Sequence, residues 1–163
     1  KFIIAPHQIS TERLSECLQR YPSSILLSTY ETLDPSIRDN FQTLVIDNVG
    51  MLSSLYYYST IAFIGGGFSS EGIHNTLEAA VFGKPVVFGP VYDKYLEAIE
   101  MLEIGAAFSA ETALEMEDLL NDLLNDANKA QAAGDAGRAY IQSKAGASVS
   151  ILDYIQANRL LTN

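Results

Sequence analysis

The sequence predicts an α/β fold, a parallel sheet of about six strands with helices on both faces. Three observations lead there. Short apolar runs recur along residues 1–108, each bounded by Gly, Pro, Asn or Ser. Stretches with apolar residues at helical spacing lie between them. The runs are continuous rather than alternating, as strands buried on both faces require. Strands alternating with helices build βαβ units with right-handed crossovers. At 163 residues, with 48% hydrophobic and 18% charged side chains, the chain is read as one domain, 1–163.

The elements follow in order. Residues 1–5 form a short apolar strand that leaves through Pro6 and His7. Ser10, Thr11 and Glu12 open a helix with Leu14, Cys17 and Leu18 on one face, closed at Pro22. Residues 24–28 are the second strand, and the polar stretch 29–42, with Pro35 inside it, is expected as loop. The third strand, 43–47, ends in Asn48, Val49 and Gly50. A helix is expected over 51–59, where Tyr56, Tyr57 and Tyr58 read as core and rim packing rather than a stacking platform.

The fourth strand, 61–64, runs into Gly65, Gly66 and Gly67. A helix is expected over 75–82, with Gly83 in its C-terminal turn, then a fifth strand over 85–89. A helix over 95–102 and a short sixth strand over 106–108 complete the sheet. From Glu111 the chain is helical. Leu114, Leu119, Leu120, Leu123 and Leu124 make one apolar face, Gly134 and Gly137 interrupt the next helix (127–143), and 148–161 forms the last.

Composition excludes several functions. Twenty acidic and ten basic side chains give a net charge of -10, and no basic stripe offers itself to a phosphate backbone, so no nucleic-acid partner is expected. Cys17 is the only cysteine, which rules out an internal disulfide and fits a reducing compartment. No apolar run reaches the roughly 18 residues of a membrane span. The chain opens directly in a strand-like run with neither leader nor initiator Met, and is read as a fragment of a longer protein.

Ligands of open parallel sheets bind outside the carboxyl ends of the strands. The chemistry-bearing loops are therefore the strand exits. Gly83 and Lys84 are followed by Pro85, which excludes a P-loop, and Ser70 stands where a dinucleotide fingerprint needs its third glycine. Gly65, Gly66 and Gly67 make either a tight strand-to-helix turn or a close backbone approach to a ligand. Asn75 and Glu78 stand at capping-box spacing. The same geometry offers helix-start N–H groups to a phosphate and a carboxylate to a ribose diol. His74 either donates to a phosphate or caps the turn. With two histidines and one cysteine there is no metal set, and no nucleophile–base pair is visible.

Three segments then carry a resemblance. Ile64 to Gly67, Gly72 to Ala80 (GIHNTLEAA) and Gly83 to Pro90 (GKPVVFGP) resemble 3-deoxy-D-manno-octulosonic-acid (Kdo) transferases, whose pattern is close to G-G-H-N-x-L-E-x-A-x-x-G-x-P-V-x-x-G-P. Upstream, Asp47 to Leu52 resembles that family's D-T-x-G-E-L, and Pro6 with His7 falls near its V-P-R-H-P-E-R. The resemblance implies the C-terminal half of a GT-B glycosyltransferase, a Rossmann-like domain that holds the donor CMP-Kdo, with no cofactor and no metal. Pro6, His7, Val49, Gly50, Met51, His74, Asn75, Thr76, Leu77 and Glu78 would surround the nucleotide. Glu78 would meet the ribose, and the N–H groups around Asn75 the phosphate. His7 replaces the family's Arg, Met51 its acidic residue, and Phe68 follows Gly67 where a serine usually starts the loop.

The resemblance further implies an N-terminal domain, absent from this chain, that binds a lipid A precursor and supplies a catalytic glutamate for an inverting transfer in lipopolysaccharide biosynthesis. No catalytic residue is expected in these 163 residues. Membrane association, at the cytoplasmic face of the bacterial inner membrane, would run through the same absent domain. The alternatives are a nucleotide-sugar epimerase of the same architecture and a non-catalytic sugar-nucleotide binding module.

Overall fold

The computed structural model describes residues 1–160, so Leu161, expected at the end of the last helix, lies outside the described residues. The chain divides into two compact units, Lys1–Ser59 and Thr60–Asn163. Each carries its own three-stranded parallel sheet. Six strands were expected and six are present, but in two sheets of three rather than one of six. Apolar runs mark where strands form; which strands share a ladder is decided by tertiary pairing that the runs do not encode.

The first unit contains β1 (Phe2–Ile4), α1 (Thr11–Arg20), β2 (Ser24–Leu26), α2 (Leu27–Thr32), β3 (Thr43–Val45) and α3 (Leu52–Leu55). β3 is central, pairing Leu44 with Ile3 of β1 and with Ile25 of β2. Val45, Ile46, Ile25 and Leu27 form its buried core. α1 starts where Ser10 accepts a hydrogen bond from the Arg13 N–H, with Glu12 in the first turn and Arg20 in the last, each matched to the helix dipole.

Three expectations need correction here. β1 is an edge strand, and its Phe2 is 69% exposed rather than buried. The stretch expected as loop holds most of α2 and a 3-10 turn, Pro35–Asn40. Pro35 starts that turn, because its fixed φ suits a first helical position, and the Asp34 Oδ1 accepts from the Ser36 N–H at 2.8 Å. Tyr57 and Tyr58, in a 3-10 turn after α3, are exposed and packed edge-on against each other at 5.2 Å; only Tyr56 is half-buried.

The second unit contains β4 (Ala62–Ile64), α4 (Leu77–Ala80), β5 (Val86–Phe88), α5 (Leu96–Glu103), β6 (Ala107–Ser109), α6 (Ala113–Asn125), α7 (Ala127–Lys144) and α8 (Ala147–Ala157). β5 is central and wholly buried, with Val87 paired to Phe63 and Phe108. Val87 also packs with Ala110, Met116 and Leu123. The apolar stripe of α6 is therefore Met116, Leu119, Leu120 and Leu123, an i, i+3, i+4, i+7 set. Leu114 and Leu124, expected on that face, are 74% and 60% exposed.

α7 runs straight through Gly134 and Gly137, which do not interrupt it. Both are buried, but only Gly134 lacks room for a side chain, since the Gly83 carbonyl passes directly beside it. Gly83 ends the α4 turn as expected, with φ +65° and its N–H on the Ala80 carbonyl at 2.9 Å.

Candidate functional site

In the first unit, β1 and β3 are parallel neighbours, so their carboxyl ends open on the same sheet edge. The exits from those ends enclose a cavity of about 180 Å³. Pro6, His7, Val49 and Gly50, four residues expected to meet a nucleotide, line it together. Ala5, Ile9, Ile46 and Leu52 add apolar wall, and Asn48 adds the one carboxamide. No carboxylate, lysine or arginine lines the cavity. Its chemistry suits a flat, uncharged ring with polar edges better than a phosphate.

Local sequence shapes that wall. Gly50 has φ +94°, with nothing within 4 Å of where a Cβ would sit, so glycine is required there for the backbone turn and not for space. Met51 does not line the cavity. Its Sδ accepts from the Asn48 Nδ2 at 3.1 Å. Behind the exit, the Asp47 carboxylate accepts from the Ser28 N–H at 3.1 Å and from the Ser28 hydroxyl, tying the end of β3 to the start of α2. Asn48 and Asp47 were not predicted as site residues. Their signals in the sequence were position, immediately before Val49 at a strand exit, and for Asp47 the match to the first residue of D-T-x-G-E-L.

In the second unit, the glycine loop after β4 folds back on its own protein. A Cβ on Gly66, which has φ +91°, would lie 2.1 Å from the Gly72 carbonyl oxygen. A Cβ on Gly67 would lie 2.7 Å from the Gly89 nitrogen. The carbonyls are engaged as well. Gly65 accepts from the His74 N–H at 3.1 Å, Gly66 from the Ser69 N–H at 2.9 Å, and Gly67 from the Val91 N–H at 2.9 Å. The need for glycine at 66 and 67 is thus met inside the protein. Gly65 is the roomier position, with only the His74 ring at 3.8 Å.

That loop delivers the chain to α4, which is shorter than the expected 75–82. The Asn75 Oδ1 accepts from the Leu77 N–H at 2.9 Å, and its Nδ2 donates to the Glu78 Oε1 at 3.0 Å. Asn75 therefore orders the helix start and holds the Glu78 carboxylate in place, one oxygen engaged. His74 and Asn75 are exposed and Leu77 and Glu78 half-buried, whereas the Thr76 side chain is 1% exposed. Any ligand contact at Thr76 would be through its backbone. Among the described residues, no group of three His, Cys, Asp or Glu is placed to hold a metal ion.

Fold and loops together define an α/β protein of the Rossmann-like kind, with its candidate binding groups at the carboxyl ends of parallel strands. A crystal structure of the C-terminal CMP-Kdo binding domain of WaaA from Acinetobacter baumannii has the same fold, with a TM-score of 0.73 and 24% identity over 86% of this chain and 72% of that one. No family model matches the chain. It is 32% identical over 126 residues to the 3-deoxy-D-manno-octulosonic acid transferase of Aquifex aeolicus, 77% of this chain and 34% of that protein. The transferase of the same name from Haemophilus influenzae is 32% identical over 120 residues, and that of Bordetella pertussis 30% over 118. The chain is related to one part of these Kdo transferases. It spans 34% of the length of the first of these relatives and 28% of each of the other two.

Proposed function

We propose that this chain is the donor-binding domain of a Kdo transferase, the part that holds CMP-Kdo while the sugar moves to a lipid A precursor. One observation carries the reading: the cavity of the first unit, where Pro6, His7, Val49 and Gly50 come together in an uncharged recess of pyrimidine size. The names of the relatives support it, since each of the three is a Kdo transferase. The base is assigned to that recess.

Transfer itself, with inversion at the sugar and a glutamate base, is assigned to the longer polypeptide. So are the acceptor and the contact with the cytoplasmic face of the bacterial inner membrane. The 163 residues alone are expected to bind CMP weakly and to transfer nothing. Titration of the chain with CMP, followed by amide NMR, tests the donor-site assignment. Shifts are expected at His7 and at 48–51, the residues of and beside the first unit's recess. A flat response at all of these sinks it, and a tighter response to UDP than to CMP would point to an epimerase instead.

A further inference from the structure

We infer that Asn48 reads the base in the cavity of the first unit, selecting a pyrimidine that carries an exocyclic amine, and that Met51 holds it in the orientation for doing so. The inference rests on the donor-site reading above and adds two residues and a basis for specificity to it. Asn48 supplies the only side-chain amide of the cavity lining, among walls that are otherwise apolar apart from His7. Its Nδ2 donates to the Met51 Sδ at 3.1 Å, and Met51 lies outside that lining. A thioether accepts and never donates, so the amide nitrogen must face it. That fixes the rotation of the carboxamide and leaves Oδ1 as the side-chain acceptor available at the cavity.

An acceptor at that place discriminates between pyrimidines. Cytosine presents an amine at C4, which donates to Oδ1. Uracil presents a carbonyl at C4, and the two oxygens repel. Uracil would be accommodated by turning the amide over, but Oδ1 would then face the Met51 sulfur, acceptor against acceptor. The lock on the amide is therefore also the penalty for the wrong base. A site built to hydrogen-bond one group disfavours its analogue, because an acceptor that the bound base covers from water is then left unpaired.

The test is the ratio of CMP to UMP affinity, measured by titration of the 163-residue chain, with amide spectra confirming that each variant is folded. Wild type should bind CMP about tenfold or more tightly than UMP. Asn48→Leu should bring the two within about twofold, through loss of CMP affinity and not gain of UMP affinity. Met51→Leu, which keeps bulk but removes the acceptor, should narrow the ratio as well. Met51→Glu, which restores an acceptor for Nδ2, should keep the wild-type ratio even where its charge weakens both nucleotides. A purely structural role for either residue would lower both affinities in parallel. Equal binding of CMP and UMP by wild type, or an unchanged ratio in both Asn48→Leu and Met51→Leu, overturns the inference while the donor site stands. Binding of neither nucleotide by wild type overturns both.

Discussion

Thr76 shows how one residue of a candidate site is held by forces unrelated to a ligand. Its side chain is 1% exposed, and its hydroxyl has no hydrogen-bond partner among the described residues. A buried hydroxyl without a partner keeps its desolvation cost, about 1–3 kcal/mol. Thr76→Val retains the shape and removes that group, so it should stabilise the chain by about 1 kcal/mol. A higher urea midpoint at an unchanged slope would show it, and a lower midpoint would mean that the hydroxyl has a partner after all. Its neighbours were more legible. The spacing of Asn75 and Glu78 announced a helix start, and the structure gives them a mutual hydrogen bond that leaves both readings of the sequence in force. What the sequence hid was burial. Nothing in the order Asn75, Thr76, Leu77, Glu78 says which of them turns inward, because α4 is a single short turn with no repeat to read. Asn48 was hidden for a related reason. A polar residue at a strand exit looks like any turn residue until the facing loop is known.

Among the elements, α7 was misread for an instructive reason. Gly134 and Gly137 have poor helix propensity, and propensity alone predicts a break. Tertiary packing overrides it, since both are buried within one continuous helix. The two glycines nevertheless differ. A Cβ on Gly134 would stand 2.1 Å from the Gly83 carbonyl oxygen and 2.7 Å from its carbon, and neither is the end of a flexible side chain. A Cβ on Gly137 would meet the methyls of Ala80 and Ala106 at 3.5 and 3.6 Å, ordinary contact. Gly134→Ala should therefore cost about 3 kcal/mol by forcing α7 off the turn after α4. Gly137→Ala should be neutral or stabilising by up to about 1 kcal/mol, through the better helix propensity of alanine. Chemical denaturation of the two variants separates these outcomes, and equal destabilisation would show that helix propensity and local space are not what decide. The same competition explains α6. Its leucines were easy to see, but Met116 and not Leu114 completes the buried stripe, and only the facing Val87 settles which.

Over the whole molecule, the parallel α/β class followed from the alternation of apolar runs and helices, while the division into two three-stranded sheets did not. Each ladder is closed by strands of three residues, and a run of three carries no record of its partner. What joins helices at long range is equally invisible in the sequence, and the clearest case titrates. In the second unit, the Glu100 carboxylate of α5 accepts from the Lys144 ammonium at 3.0 Å and from the Tyr140 hydroxyl, both on α7. The Lys144 bond, then the Tyr140 bond, hold the Glu100 carboxyl below its usual range. Burial first, and the Glu100 carboxylate second, push the Tyr140 phenol up to about 12. The two shifts act on stability at opposite ends of the pH scale. Glu100 is depressed in the folded chain, so its contribution is complete above the ordinary value of 4.5 and is lost as pH falls through the lower folded value. Tyr140 is raised, so its contribution is complete below the ordinary value of 10.0 and is lost as pH rises toward about 12. Glu100→Gln keeps the shape and removes the charge. It should lower the urea midpoint across the plateau between those limits, and the deficit should shrink toward zero as acid protonates Glu100 in the wild type. The alkaline limb of the variant should also move toward pH 10, because the hydroxyl of Tyr140 no longer faces a carboxylate. A deficit that stays constant from pH 7 to pH 3 would show that Glu100 acts through packing and not through its charge.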